Sequence, residues 1–265
     1  NITKNQRYCL SFMPKAVESL DLSKYDIVIC SSSGFAHWVI TKPETKLIIY
    51  YHSPSRYLWD WTNEYKKDIW WNKWIKWFII NSLFLKLRQW DFIASKRTDI
   101  TIANSINTKK RISKYHRKDS EVIYPPVEVG RFNKKIWEKE IDYSNYYIII
   151  SALTEFKKIE VAIEWFNKMS DKKLVIVWEW NYRWELEKKS WNNIIFTWAK
   201  YWDELVWLVQ NSNWLIFPWE EDFWIVPVEV MAAWKPVFAY RAWWLLETVM
   251  ENMTWEFFYN KDWAD

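Results

Sequence analysis

Residues 213–240 read NWLIFPWEEDFWIVPVEVMAAWKPVFAY. An apolar run ends at Pro218, an acidic loop follows, an apolar helical stretch, VEVMAA, opens near Glu229, and a Trp-Lys-Pro turn feeds a second apolar run. Strand, helix and strand in so short a span make a βα unit of a parallel sheet, because antiparallel neighbours need only a turn. Working outward, the same rhythm recurs upstream in YYIIISAL (146–153), KLVIVW (173–178) and NIIFTW (193–198), with helical VAIEWFNKM and DELVWLVQ between strands. Nearer the start, DIVICSSS (26–33), KLIIYYHS (46–53), TDITIANS (98–105) and EVIYPPV (121–127) read as strands, with a long helical stretch over about residues 62–96. Such runs belong to sheets covered by helices on both faces, so the fold class is α/β and doubly wound.

Charge divides the chain. Lys and Arg outnumber Asp and Glu 24 to 12 over residues 1–135, and are outnumbered 21 to 13 over 136–265, so a net +4 conceals halves of +12 and −8. The asymmetry, with 265 residues that are 50% hydrophobic, predicts two domains, 1–135 and 136–265, meeting in the charged segment 128–145. The basic half suits peripheral contact with anionic lipid or an acidic acceptor, and equally a plain solvated face; no nucleic-acid partner is expected. No apolar stretch reaches the roughly 20 residues that span a bilayer, and only Cys9 and Cys30 offer sulfur. A cytoplasmic protein without structural disulfides, working in solution or at the inner face of the membrane, is the expectation. Asn1 and the closing NKDWAD read as cut ends, which would leave both domains incomplete.

Gly occurs 2 times and Trp 25 times, where ordinary usage of about 7% would give roughly 19 glycines. Tryptophans stand where turn chemistry asks for glycine: Trp178 and Trp180 after KLVIV, Trp219 after LIFP, Trp234 before Lys235-Pro236, and the pair Trp243-Trp244. An indole is excluded from the positive-φ conformations that glycine adopts freely. The pattern is the one expected when UGA codons that mean glycine are translated as tryptophan. Trp59 and Trp90, in RYLWD and RQWD, fit as genuine indoles.

The chemistry concentrates after two strands. In 218–247, Glu221 and Glu229 bracket seven residues, just beyond an apolar run and at the start of a helix. Ligands of doubly wound sheets bind beyond the carboxyl ends of strands, helix-start amides suit an anionic diphosphate, and carboxylates accept hydrogen bonds from sugar hydroxyls. Two glutamates at this spacing are otherwise a solvated loop and a helix cap. With Trp read as Gly, however, the stretch resembles the signature of glycosyltransferase family 4, the group 1 glycosyl transferases: Glu, seven residues, Glu, then Met-Ala-x-Gly-x-Pro-Val and Gly-Gly-x-x-Glu. The resemblance implies two Rossmann-like domains facing a cleft, the GT-B architecture, with an incomplete first domain on the acceptor side and a second domain that binds the nucleotide sugar.

By the same resemblance, Glu221 contacts hydroxyls of the transferred sugar and Glu229 holds the ribose. Backbone amides of Phe223, Trp224 and Ile225 face the sugar or diphosphate, and Glu247 follows a glycine pair represented by Trp243 and Trp244. SALTEFKKIEVAIEWF aligns Lys157 with the family lysine that neutralises the leaving diphosphate; Ala152 stands where many relatives have Arg, and Lys158, beside Lys157, is the candidate substitute for that second cation. A fixed cation there stabilises the transition state more than the ground state. YYHSPSRYLWD resembles the His-x-Pro-x-Arg-Tyr-x-Trp-Asp element of a mannosyltransferase-like subgroup, which implies that His52 meets the donor sugar and that Arg56 and Tyr57 shape the acceptor side. Ser105 in IANS reads as a helix cap, and VIYPPVEVGRF as the interdomain turn.

The implied activity is that of a retaining hexosyltransferase, moving a sugar from a nucleoside-diphosphate donor to a saccharide or lipid-linked acceptor, as in polysaccharide biosynthesis. GDP-mannose is the donor that the subgroup resemblance suggests. No separate cofactor and no metal are expected, the sequence having no Asp-x-Asp motif and no clustered His or Cys. A glycosidase pair of glutamates would have to face each other across a scissile bond, which two acids on one loop do not. The competing readings are a sugar-nucleotide epimerase of the same fold and, if the indoles are physically present, a non-catalytic binding subunit.

Overall fold

The computed structural model describes residues 10–63, 74–136, 144–154, 157–178, 182–242, 245–248 and 255–258. The chain forms two compact units, Asn1–Tyr124 and Pro125–Asp265. The division falls inside VIYPPVEVGRF and upstream of the charged segment, for a packing reason. Phe132, on the short helix Val129–Asn133, is buried in the second core, and Gln210 Nε2 donates to the carbonyls of Phe132 and Lys134 at 2.7 and 2.8 Å.

The first unit holds a parallel sheet of β1 (Ile27–Ser32), β2 (Lys46–Tyr51), β3 (Ile100–Ala103) and β4 (Glu121–Val122), in that spatial order. Its strands alternate. Leu47, Ile49 and Tyr51 are buried, whereas Ile27 and Ile29 of β1 are 59% and 71% exposed. β4 stops short of the expected 127, because Pro125 and Pro126 have no N–H to give to a ladder. Ser105 caps the helix Ile106–His116, its hydroxyl accepting from the Thr108 amide at 3.0 Å. The helix Trp74–Ser95 buries one stripe, Phe84, Leu87, Asp91 and Ala94, at the three- and four-residue spacing of a helical face.

In the second unit, β5 (Tyr146–Ile150), β6 (Lys173–Val177), β7 (Ile194–Thr197), β8 (Leu215–Phe217), β9 (Val237–Tyr240) and β10 (Trp255–Phe258) form one parallel sheet. The spatial order is β10-β9-β8-β5-β6-β7. The chain therefore builds outward from β5 through β6 to β7, then crosses back and builds the other way from β8. Ile148–Ile150, Leu174–Val177 and Leu215–Phe217 are buried without interruption, as central strands covered on both faces must be. One covering helix, Ile159–Lys168, turns Ile159, Ala162, Ile163 and Phe166 inward.

Backbone conformation bears on the tryptophans. Trp178, Trp202 and Trp234 have φ of 131°, 53° and 59°, while neither glycine has positive φ. Trp234 follows the helix Ile225–Ala232; its N–H donates to the Met231 carbonyl at 2.9 Å and that of Lys235 to Val230 at 3.1 Å. This pair of bonds is a Schellman motif, and Trp234 occupies the left-handed position that glycine normally fills. Trp180, Trp243 and Trp244 lie outside the described residues.

Candidate functional site

The sheet order decides where a ligand can sit. β5 and β8 are neighbours at which the winding reverses, and the loops leaving the carboxyl ends of two such strands diverge to leave a crevice. Lys157 follows β5 and Glu221 follows β8, so residues 64 positions apart meet: Lys157 Nζ lies 2.5 Å from Glu221 Oε2. Lys157 is 2% exposed, against 17% for the Glu221 side chain. The ammonium also lies 3.9 Å from the ring centroid of Trp224 and 4.8 Å from that of Trp219. The buried ammonium is thus paired with an acid and faces two aromatic rings.

The helix opens earlier than the sequence suggested, at Ile225 with Trp224 as its N-cap, so Glu229 lies inside it rather than at its start. The apolar segment IVPV is helical too, Pro227 being tolerated in a first turn that needs no N–H. This brings the backbone at Phe223, Trp224 and Ile225 to the helix N-terminus, where amides have no intrahelical acceptor and the dipole favours an anion. Glu229 is half-buried; burial raises its pKa, Arg131 lowers it and Glu128 raises it. Lys158 adopts φ 46° at the N-cap of the helix Ile159–Lys168. Glu247 is partly exposed on the short helix Leu245–Thr248. The expected Trp243 and Trp244 lie outside the described residues.

Two residues of this unit escaped the sequence reading. Asp222 is almost fully buried beside Glu221, although EED reads as a solvated acidic loop. Arg131, from the segment taken as a linker, supplies the positive charge felt by Glu229. Only the fold brings either to the site.

In the first unit His52 follows β2, where Ser31 Oγ lies 2.7 Å from its Nε2 and burial lowers its pKa. The HSPSRY loop is braced by Arg111, which donates to Ser53 Oγ at 2.9 Å and to Asp60 at 2.8 Å. The Arg56 guanidinium lies over Trp61 at 4.8 Å. Tyr57 packs in an aromatic cluster with Phe35 and Phe84.

Three metal-capable side chains also meet in this unit: His37, Asp91 and His116, all buried. Their geometry is that of a hydrogen-bonded hub. Asp91 Oδ1 accepts from Trp38 Nε1 and lies 3.0 Å from His37 Nε2, while Oδ2 accepts from Trp59 Nε1 at 2.8 Å and lies 2.9 Å from His116 Nε2. Burial raises the pKa of this carboxylate, and the contacts with His116 and His37 outweigh it and hold it far below the usual carboxylate range. No helix among the described residues is long and apolar enough to cross a membrane.

Comparison with known proteins agrees with this architecture. Residues 2–131 match the family model described as Glycosyltransferase Family 4, and residues 132–265 that of Glycosyl transferases group 1. Similar solved structures include sucrose-phosphate synthase from Thermosynechococcus elongatus, with a TM-score of 0.70 at 12% identity over 97% of this chain and 67% of that one. A glycosyltransferase from Rickettsia africae has a TM-score of 0.62 at 17% identity, over 99% of this chain and 70% of that one. Anabaena HepE in complex with UDP and glucose has a TM-score of 0.59 at 14% identity, over 80% of this chain and 63% of that one. The chain thus spans 63% to 70% of the length of these structures. No curated protein sequence matches it.

Proposed function

Since the chain belongs to the group 1 glycosyl transferases, we propose that it moves a hexosyl unit, with retention at the anomeric carbon, from a nucleoside-diphosphate sugar to a saccharide or lipid-linked acceptor. The observation that carries this reading is the Lys157–Glu221 pair beyond β5 and β8. When the sugar leaves, negative charge grows on the diphosphate. A buried ammonium already fixed at that point stabilises the growing charge without reorganisation, which is worth most in a site shielded from water.

In this scheme the diphosphate displaces Glu221 from Lys157 and takes the ammonium together with the amides at Phe223, Trp224 and Ile225. Lys158 supplies a second charge nearby. Glu221, once released, accepts from hydroxyls of the departing sugar, and Glu229 accepts from the ribose. Glu247 assists on the donor side, with the backbone at Trp243 and Trp244. His52 serves the transferred sugar, and Arg56 with Tyr57 the acceptor. The leaving phosphate oxygen takes the proton of the acceptor hydroxyl as it attacks the face from which the diphosphate departs. Mannose as the sugar, GDP as the carrier, and work at the inner face of a membrane through the basic half are the finer parts of the proposal.

The test is incubation of the protein, and of its W219G/W224G form, with UDP- and GDP-sugars and saccharide or lipid-linked acceptors. Release of nucleoside diphosphate that depends on acceptor, with a product of unchanged anomeric configuration by NMR, supports the proposal. An epimerised nucleotide sugar formed without acceptor contradicts it.

A further inference from the structure

The helix Ile106–His116 turns one stripe toward the loop that carries Arg56 and Tyr57. Thr108, Arg111 and Tyr115 stand three and four residues apart, which puts them on one helical face. Thr108 Oγ1 lies 3.5 Å from the His52 carbonyl oxygen. Arg111, 7% exposed, donates to Ser53 Oγ at 2.9 Å, to the Pro54 carbonyl at 3.3 Å and to Asp60 Oδ1 at 2.8 Å. Tyr115 stacks on Trp59, with ring centroids 5.0 Å apart and planes 13° from parallel.

Two parts of this loop are built differently. His52 belongs to the sheet: its N–H donates to the Ser32 carbonyl at 2.8 Å, and its Nε2 lies 2.7 Å from Ser31 Oγ. Residues 55–61 are shaped by tight turns, with Leu58 and Trp59 donating to the Ser55 carbonyl and Trp59 and Trp61 to that of Arg56. Arg111 joins the two, reaching Ser53 beside His52 and Asp60 at the far end of the turns. A guanidinium suits this task because its donors form a rigid fork, and a buried one keeps its place because an unpaired charge there is costly.

We propose that Arg111 is a positioning residue for transfer: by tying Ser53 to Asp60 it sets Arg56 and Tyr57 in a fixed place relative to His52. The clamp stands on contacts within the first unit, whereas its consequence for transfer rests on the function proposed above. Two measurements keep these separable. The first is amide hydrogen exchange by mass spectrometry, comparing residues 53–61 with the strands Lys46–Tyr51 and Ile100–Ala103. The second is steady-state transfer, in the parent chain or its W219G/W224G form.

In Arg111→Ala, exchange in residues 53–61 is expected to rise about tenfold or more while the strands keep their protection. Arg111→Lys is expected to fall in between, since an ammonium cannot serve the three acceptors of a fork equally. Asp60→Asn, which removes the charge that holds Arg111, serves if Arg111→Ala does not fold by circular dichroism, with a smaller rise in the same residues expected. In transfer, Arg111→Ala is expected to lower kcat by about 10²-fold, the cost of a misplacement of about 1 Å, and to raise KM for the acceptor while leaving KM for the nucleotide sugar nearly unchanged. Unchanged exchange in the folded variants overturns the clamp, as does a rise shared equally by the two strands, which would make Arg111 a residue of the core alone. An unchanged kcat in a chain that transfers overturns the positioning role. Faster exchange confined to residues 53–61 in a chain that transfers no sugar upholds the clamp and overturns the assigned function.

Discussion

Replacing Trp234 by glycine should stabilise the protein, although it deletes the largest side chain in the repertoire. Trp234 has φ 59° and is 88% exposed. Its side chain contributes almost no burial, while its backbone is held left-handed by the two hydrogen bonds that end the helix Ile225–Ala232. A residue with a Cβ pays about 1–2 kcal/mol in that conformation. Glycine avoids this cost but loses about 0.5–1 kcal/mol more than other residues through its freedom in the unfolded chain. The balance favours glycine by about 1 kcal/mol, or roughly 2–4 °C in Tm for a unit of this size. Urea unfolding followed by circular dichroism at 222 nm reads the change as a higher midpoint at constant slope, independent of the lost fluorophore. Trp234→Ala is the control, because it removes the indole and keeps the Cβ. Equal gains for Ala and Gly, or a loss with Gly, would refute the backbone argument and with it the view that this position is built for glycine.

The Asp91 hub supplies a second prediction: Asp91→Ala, which strands His37, His116 and two indoles, should cost about 3–5 kcal/mol by chemical denaturation, and a loss under 1 kcal/mol would mean the hub is dispensable. Acid stability follows from His116, whose pKa is lowered chiefly by burial, with His37 and Lys96 adding to the lowering and Asp91 opposing it. The unfolded chain takes up a proton near pH 6.5 that the folded chain refuses, so stability should fall as pH drops below that value, by at most about 1.4 kcal/mol per pH unit; His116→Gln should flatten this slope, which urea midpoints between pH 7.5 and 5 would show. Asp91, with its pKa depressed, adds stability that is present above its unfolded value near 3.9 and is lost as pH falls further. In the W219G/W224G chain, Lys157→Ala should lower kcat by about 10²-fold or more with a smaller change in KM, since its charge is needed most as the diphosphate leaves; steady-state kinetics showing a change in KM alone would assign Lys157 to ground-state binding.

Much of this was legible in the residues. The unbroken apolar runs of β5, β6 and β8 signalled a sheet covered on both faces, and SALTEFKKIE with PWEEDFW picked out the lysine and the acid that the fold joins. The sequence could not tell that β8 returns to the side of β5, because strand order is set by which faces bury each other, and that order is what brings Lys157 to Glu221. The start of the helix at Ile225 was hidden by Pro227, which reads as a breaker and is in fact a first-turn residue. Asp222 was unreadable because burial depends on neighbours far along the chain, and Arg131 because Phe132 pulls its segment into the second core. The tryptophans at turn positions were the clearest compositional signal; the backbone agrees at Trp178 and Trp234 and adds Trp202, which the sequence reading passed over.

In the function proposed above, an activated sugar is held by its diphosphate at the lysine beyond β5. Phosphorus NMR of UDP and GDP titrated with the W219G/W224G chain tests this most directly, because it reports on each phosphate separately. The β-phosphorus resonance of one nucleotide is expected to shift or broaden with added protein, and Lys157→Met to abolish the effect. A β-phosphorus that responds equally with and without the Lys157 ammonium, or in no titration at all, would contradict it.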